Sequence, residues 1–531
     1  MTELLTAAQM RAVEAAAIAS GEVTGLELME RAGRGVVEAV FAEWPELAAG
    51  SFCAVVLCGP GGNGGDGFVV ARLLKEWGWQ VEVFLYGTPE RMPPDARANY
   101  ERWLGMGEVQ PLEPGTIYQY WAENLTCYRL WVDALFGTGL TRPAADDALG
   151  QVLRIMSEIV WAPSLHPNER VVAVDVPSGL CADSGRFLQE PKGILHEDVY
   201  ALAHLTVTFH RKKVGLSLAD ASQYCGTVAI ADIGLKTTRS IGDESVRELT
   251  LSTAIASMIG KSSGHKYTHG HAHILSGPSG QGGAARLSAR GALRIGAGLV
   301  TLGCPPAALI ENAAQLNAIM LKPIGDAAAL TETLQDTRIT ALFLGPGLGI
   351  ERAAELLPTA LNSTRPLVLD ADGLTALSRD PALFAQLHKN CVLTPHAGEF
   401  ARLFPDIAEK LAAPATTGPA YSKVDATREA AKRAGCVVLF KGPDTVIADP
   451  SGRCSINSAQ YDRAAPWLAT AGSGDVLAGF ITGLLARGFQ PMQAAETAAW
   501  LHVECARSFG PGLIAEDLPE ELPKVFRTLG V

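Results

Sequence analysis

The sequence is short of positive charge. Lys and Arg total 44 against 56 Asp and Glu, a net charge of −12 with a pI near 5.5. Such a chain repels a phosphate backbone, which excludes nucleic-acid binding as a main role. Any phosphate it holds must be gripped locally, by backbone amides and a few cations. Long apolar runs are also missing: no segment reaches about 18 uninterrupted apolar residues, so no membrane span is expected. The N-terminus, Met1 to Met10, lacks the basic start and apolar stretch of an export signal. The ten cysteines are scattered, and even close pairs such as Cys53 and Cys58 lack metal-ligand spacing. They read as small core residues in a reducing cytosol. Charged residues reach only 19% against 48% hydrophobic, the balance of a globular protein. A cytoplasmic protein of roughly two to four domains is expected.

What is present is an alternation of apolar β-branched runs with helical patterns. Thr6 with Gln9 predicts a capping box opening a helix to about Ile18. Strands are expected at Ala54–Cys58, Val81–Tyr86, Leu130–Ala134, Val171–Val174 and Leu205–Phe209, with a helix at Phe68–Glu76. A break falls near 234–250, where Gly242-Asp243-Glu244-Ser245 forms a charged run. The alternation then restarts at Ala272–Leu275, a helix from Gly283 to Ile295, and Leu299–Gly303. Further strands follow at Ala341–Leu344, Leu367–Asp370, Val392–Thr394 and Val437–Lys441. Parallel βαβ units in two α/β domains follow from this pattern, at 1–235 and 251–531 with a linker at 236–250. The stretch Ala412–Pro419 reads as a surface loop.

In the first half, Gly59-Pro60-Gly61-Gly62-Asn63-Gly64-Gly65-Asp66-Gly67 lies between a strand and a helix. Six glycines in nine residues permit positive φ and close approach of backbone to a ligand. The run is neither a dinucleotide fingerprint nor a P-loop. Asn63 and Asp66 add oxygens suited to a hard cation or a ribose hydroxyl. Asp133 closes another strand ahead of Phe136-Gly137-Thr138-Gly139-Leu140-Thr141-Arg142-Pro143, and Asp175-Val176-Pro177-Ser178-Gly179 ends a third. Each acid alone would serve as well as a cap or a loop acceptor. Three oxygen-rich strand ends in one sheet converge on one crevice.

These three motifs resemble NAD(P)H-hydrate epimerase over roughly residues 5–235. The resemblance implies a Rossmann-like domain that interconverts the R and S epimers at the hydrated C6 of the nicotinamide. It implies potassium held by Asn63, Asp133 and Ser178, and substrate lined by Gly62, Asn63, Gly64, Gly65, Asp66, Gly137–Pro143 (Gly137, Thr138, Gly139, Leu140, Thr141, Arg142, Pro143) and Asp175. Asp175 is the expected acid/base, because inverting a carbinol carbon beside nitrogen requires proton shuttling. Gly62 departs from the family, which usually has a second asparagine there. A non-catalytic binding scaffold is the competing reading of this half.

The second half carries Ala471-Gly472-Ser473-Gly474-Asp475 before an apolar run read as a buried helix. The free amides of that helix start attract an anion, and Asp475 stands at its mouth. Other strand ends carry Lys441-Gly442-Pro443-Asp444-Thr445, Gly345-Pro346-Gly347-Leu348-Gly349, Asp370-Ala371-Asp372-Gly373 and Pro395-His396-Ala397-Gly398-Glu399. His396 alone would more often be a cap; beside the other loops it is counted with the site. The cradle by itself also fits a kinase that releases a stable phosphorylated product.

These motifs, with His265-Lys266 and the Ala292–Val300 run, resemble the ADP-dependent NAD(P)H-hydrate dehydratase over about 250–525. That resemblance implies a ribokinase-like α/β domain. Ala284, Gly347, His396 and Asp475 would contact the hydrated cofactor, and Lys441, Gly442, Pro443, Asp444, Thr445 and Gly474 the adenine nucleotide, with Mg²⁺ on ADP. Asp475 would deprotonate the C6 hydroxyl for attack on the terminal phosphoryl of ADP. The strand end Ser276–Gln281 departs from the family's Gly-Gly-Ser and final tyrosine. The expected partners are NADHX or NADPHX and ADP, with self-association into a homo-oligomer, and neither nucleic acid nor membrane.

Overall fold

The computed structural model describes residues 2–123, 128–144, 147–189, 201–236, 245–250, 257–261 and 264–531. Most of the expected charged run at 242–245, and with it residues 237–244 of the expected linker, lies outside them. The chain divides into two compact units, Glu3–Gly242 with Ala413–Ser422, and Asp243–Ala412 with Lys423–Val531.

The first unit is built on a seven-stranded sheet. Its order is Val109–Pro111, Gln80–Leu85, Cys53–Cys58, Arg129–Ala134, Glu169–Val174, Leu205–Phe209 and Thr227–Ala231. All neighbours are parallel. Apolar runs without alternation produce this sheet because it is covered on both faces. Ala54, Val56 and Cys58 face one core with helices Gly25–Glu43 and Gly62–Glu76, while Val55 and Leu57 face a second with helix Asp147–Trp161. The result is the expected three-layer arrangement. Strand order reverses between Cys53–Cys58 and Arg129–Ala134, so the loops leaving these neighbours diverge and open a crevice at their carboxyl ends. The helix Ala7–Ala19 begins with the expected capping box, Thr6 accepting from Gln9 N and Gln9 returning the bond.

In the second unit the parallel strands His271–Leu275, Leu299–Cys304 and Met320–Pro323 run to one side. Ala341–Leu344, Leu367–Leu369, Cys391–Leu393 and Val437–Phe440 run to the other. The reversal therefore falls between His271–Leu275 and Ala341–Leu344. One face is covered by helices Gly283–Arg294, Ser473–Ala486, Pro491–Phe509 and Asp517–Thr528. Ser473–Ala486 is buried on every side from Val476 onward, as its unbroken apolar sequence requires. Gly479 and Gly483 let it approach its neighbour: a Cβ there would stand 2.3 Å from Ser288 O and 2.3 Å from Ile295 Cγ2. Phe480 between them is fully buried, and truncation to Ala would cost about 3–5 kcal/mol.

Three expectations are corrected. The helix expected at Phe68–Glu76 begins six residues earlier, at Gly62. After Phe440 the chain turns back as two antiparallel strands, Asp444–Ala448 and Cys454–Ser458. Val246–Glu248, inside the range read as linker, pairs with Cys454–Ile456. The stretch Ala412–Pro419 is largely the expected surface loop, with Ala412, Ala413, Pro414, Thr417 and Pro419 exposed, while Ala415, Ala420 and Ser422 are buried. Among the described residues no helix is long and apolar enough to cross a membrane, and the nine described cysteines are buried and form no disulfide with one another.

Candidate active sites

In the first unit the glycine run is the opening turn of a helix, and none of its glycines has a positive φ. They are there for close approach instead. A Cβ on Gly59 would stand 1.8 Å from Leu135 O, on Gly64 1.9 Å from Gly59 O, and on Gly67 2.7 Å from Ala134 Cβ. Gly61 and Gly62 face open space, with nothing within 4 Å. Gly61 caps the helix without a side-chain bond, so the first-turn amides remain available to a ligand.

Across the crevice, Asp133 and Ser178 lock two strand ends together. Ser178 Oγ donates to Asp133 Oδ1 at 2.5 Å and Ser178 N to Oδ2 at 2.8 Å, while Phe136 N donates to Ser178 Oγ at 3.0 Å. Burial raises the Asp133 carboxyl against those bonds. Asn63 meets the next residue of the same loop: a Cβ on Gly137 would stand 2.9 Å from Asn63 Oδ1 and 3.4 Å from Asp175 Oδ2. Asn63 Nδ2 is buried without a partner. Of the loop residues, Thr138 N points at Asp175 Oδ2 at 3.4 Å and Leu140 N closes a turn on Gly137 O. Gly139, Thr141 and Arg142 are exposed, and Pro143 is half-buried.

Asp175 holds a left-handed backbone at φ 68°, strained for a residue with a side chain. Its Oδ1 accepts from Thr208 Oγ1 at 3.0 Å and pairs with Lys213 Nζ at 2.9 Å. Lys213 is fully buried and also donates to Thr208 Oγ1, Phe209 O and Arg211 O. Sequence reasoning missed Lys213 and Thr208, and it gave the first helix no part in the site. Arg11 Nη1 donates to Thr138 O at 3.1 Å. Burial, then Asp175 and Glu14, push the Asp66 carboxyl well above the usual range, and burial likewise raises Glu14.

In the second unit Gly472 caps helix Ser473–Ala486 with φ 88° and no side-chain bond. A Cβ there would press on Leu287 Cδ1 at 2.7 Å and Ala515 Cβ at 2.9 Å. Ser473 does not cap; its Oγ donates to Leu468 O at 2.8 Å. The amides behind Gly472 are therefore free, and Asp475 lies in that first turn. Burial, Asp370 and Glu399 together push Asp475 up to about 7 against the pull of Lys441.

Lys441 reaches the same place from the opposite strand end. Its Nζ bonds Asp370 Oδ1 at 2.8 Å and lies 3.6 Å from Glu399 Oε2. A Cβ on Gly474 would stand 3.5 Å from that Nζ, so the ammonium overhangs the helix start. The rest of the turn is tied inward. Asp444 pairs with Lys423 at 2.6 Å, Thr445 Oγ1 donates to Gly442 O, and Pro443 O accepts from Ala459 N. His396 is the cap of helix Ala397–Leu403: its Nδ1 accepts from Gly398 N at 3.0 Å, and its N–H donates to Glu399 Oε2 at 2.8 Å. Its ring remains about half exposed.

Gly347 has φ 67°, and a Cβ there would stand 2.5 Å from Gln281 O. Asp372 Oδ2 braces that loop by accepting from Gly349 N at 2.9 Å. The departing strand end fits it, since a Cβ on Gly277 would stand 1.7 Å from Gly347 O. Ser276 Oγ there is buried without a partner. Ala284 lies half-buried in the first turn of Gly283–Arg294. Beside the cradle, Pro466, Trp467, Ala469, Thr470 and Gly512–Ile514 line a cavity of about 340 Å³. Asp370, Glu399 and Asp372 carry no sequence-assigned role, although their loops were singled out.

Two α/β sheets, each with carboxylates just past the carboxyl ends of its strands and one with an amide cradle under a lysine, define a two-site enzyme with one phosphate-handling site. The family model described as NAD(P)H-hydrate dehydratase matches residues 272–525, and that of the YjeF-related protein N-terminus matches 25–215. The chain is 35% identical to a bifunctional NAD(P)H-hydrate repair enzyme of Moorella thermoacetica, over 99% of this chain and 97% of that one. It is 35% identical to another from Gloeobacter violaceus, over 94% and 92%. An NAD(P)H-hydrate epimerase of Rhodobacter capsulatus is 45% identical over 40% of this chain and 91% of its own. The chain belongs to the family of bifunctional NAD(P)H-hydrate repair enzymes.

Proposed function

We propose that the two crevices repair hydrated nicotinamide cofactors in two steps. The first unit interconverts R- and S-NAD(P)HX. The second removes water from the S form, converting ADP to AMP and phosphate and returning NAD(P)H.

In the second unit Asp475 takes the proton of the C6 hydroxyl, which attacks the terminal phosphoryl of ADP. The amides behind Gly472 and the Lys441 ammonium receive the charge that develops on the transferring group. Among the described residues no group of three His, Cys, Asp or Glu side chains is arranged to hold a metal. Neutralisation of charge at the nucleotide phosphates would be supplied by Mg²⁺ bound to them. Gly347, Ala284 and His396 line the side given to the hydrated ring, and Lys441–Thr445 with Gly474 the side given to the nucleotide. The C6 phosphate then leaves, assisted by the ring nitrogen lone pair, and loss of the C5 proton to solvent restores the ring double bond of NAD(P)H.

In the first unit Asp175 acts through Oδ2, the oxygen that faces Gly137 and Thr138: it gives a proton to the C6 hydroxyl, which leaves as water with help from the ring nitrogen lone pair, and takes the proton back as water adds to the other face. The amides at Gly62–Gly65 and the loop Gly137–Pro143 seat the substrate, with Asp66 beside them. Asn63, Asp133 and Ser178 offer the hard oxygen donors that suit potassium, which would supply a fixed positive charge beside the substrate. The domain assignment follows these sites: an epimerase unit at Glu3–Gly242 with Ala413–Ser422, and a dehydratase unit from the remainder.

The observation that carries the reading is an unpaired carboxylate, held near neutrality, at the mouth of an uncapped helix start. Incubating the protein with S-NADHX and ADP tests it: the absorbance of reduced nicotinamide should recover as AMP forms. Accumulation of a stable phosphorylated cofactor would instead mean a kinase.

A further inference from the structure

The segment Ala413–Ser422 comes from the C-terminal half of the sequence, between helices Pro405–Ala412 and Lys423–Ala434, yet it is part of the first unit. It is stitched there along its length. Arg186 Nη2 donates to Ala413 O at 2.6 Å, Gln189 N to Ala415 O at 2.8 Å, and Ala420 N approaches Cys181 Sγ at 3.4 Å. Ala415 and Ala420 close a small apolar cluster with Cys181 and Leu188, against which Leu140 packs.

The centre of the segment meets the loop Gly137–Pro143. Gly418 N donates to Thr141 O at 3.0 Å. A Cβ on Gly418 would stand 2.6 Å from Leu140 O, 3.3 Å from Leu188 Cδ1 and 3.4 Å from Thr141 Cα. The loop is thus held at two residues: Thr138, whose N–H faces Asp175 and whose carbonyl accepts from Arg11, and Thr141, whose carbonyl accepts from this strap. Exposed Thr141 and Arg142 take their placement from the strap, whose Gly418 N–H donates to Thr141 O.

We propose that Ala413–Ser422 is a positioning strap for the epimerase site: a piece of the dehydratase half of the sequence sets the substrate loop of the other reaction. The inference rests on reading Gly137–Pro143 as that loop. It makes Gly418 a positioning residue, since only hydrogen fits between its Cα and Leu140 O.

The test is Gly418→Ala in the full chain, with epimerisation and dehydration assayed on one preparation. The added methyl must push Leu140 and Thr141, so KM for R-NADHX in epimerisation should rise by roughly tenfold, with kcat changing far less. Dehydration of S-NADHX should be unaltered, which also reports that the other unit is folded. Should the variant fail to fold, Arg186→Ala, which loosens only the Ala413 end, should give a smaller KM rise. An unchanged epimerase KM in folded Gly418→Ala overturns the strap, as does a fall in kcat with no change in KM. Arg142→Ala separates the two ideas. If it leaves epimerase KM unchanged, the loop itself is misread; if it raises KM while Gly418→Ala does not, only the strap fails.

Discussion

Asp175 and Asp475 are the acid/base candidates of the two units, one directly after strand Glu169–Val174 and the other in the first turn of helix Ser473–Ala486, and their lysines are placed differently. Lys213 sits directly on Asp175, and Thr208 shares the same oxygen, so one face of that carboxylate is fixed and the other is presented to the crevice. Lys441 sits on Asp370 instead, leaving Asp475 with burial and two like charges that push it up to about 7. A carboxylate clamped from behind is an oriented group. One left among like charges is a proton acceptor tuned to neutral pH. The difference matches the two reactions: inversion at the C6 carbinol needs an oriented group that protonates the departing hydroxyl and takes the proton of the water returning on the other face, whereas phosphoryl transfer needs one hydroxyl proton removed beside an anion cradle.

The largest break in the comparison is Asp475→Asn. Dehydration should fall by about a hundredfold to ten-thousandfold, while epimerisation followed by NMR of the two epimers, and ADP binding by calorimetry, persist. Next comes Lys213→Met, which strands Asp175 without its partner. Removing one member of a buried pair typically costs about 3–5 kcal/mol, to be read as a lowered denaturation midpoint of the first unit together with lost epimerisation. Lys441→Met also strands a buried carboxylate, Asp370, so it should cost somewhat less stability than Lys213→Met, Lys441 itself being about a fifth exposed, and should appear as well as a raised KM for ADP. A sharper and smaller effect is expected from Asp370→Asn. Removing a charge that raises Asp475 moves the acid limb of the dehydration rate to lower pH. The smallest is Gly62→Asn: nothing lies within 4 Å of a Cβ there, so epimerase kcat/KM should stay within about threefold. A large loss would show that the bare backbone at Gly62 matters.

Much of this was legible because buried parallel strands announce themselves. Ala54–Cys58 and Leu205–Phe209 read as uninterrupted apolar runs, and the glycine and acid motifs behind them mark the carboxyl edge where a crevice must lie. The start of helix Gly62–Glu76 was hidden, because glycine is a poor helix former and the run looked like a loop. Lys213 was hidden in Arg211-Lys212-Lys213, a basic run that looks like a solvated face; a lone fully buried member cannot be told from its neighbours. The hairpin after Phe440 begins with Asp444, whose charge argued for a loop until Lys423 was seen to pair with it. Residues 413–422, rich in Pro, Ala and Thr, carry no periodicity from which a tertiary contact can be read.

The central claim, that dehydration turns on an unpaired carboxylate tuned by burial and like charge, is tested most directly by single-turnover dehydration of S-NADHX across pH with nucleotide saturating. Protonation removes the base, so the rate should be level above about 7 and fall about tenfold per unit below it. A rate that stays level down to the ordinary carboxylate range, near pH 4, would contradict the account.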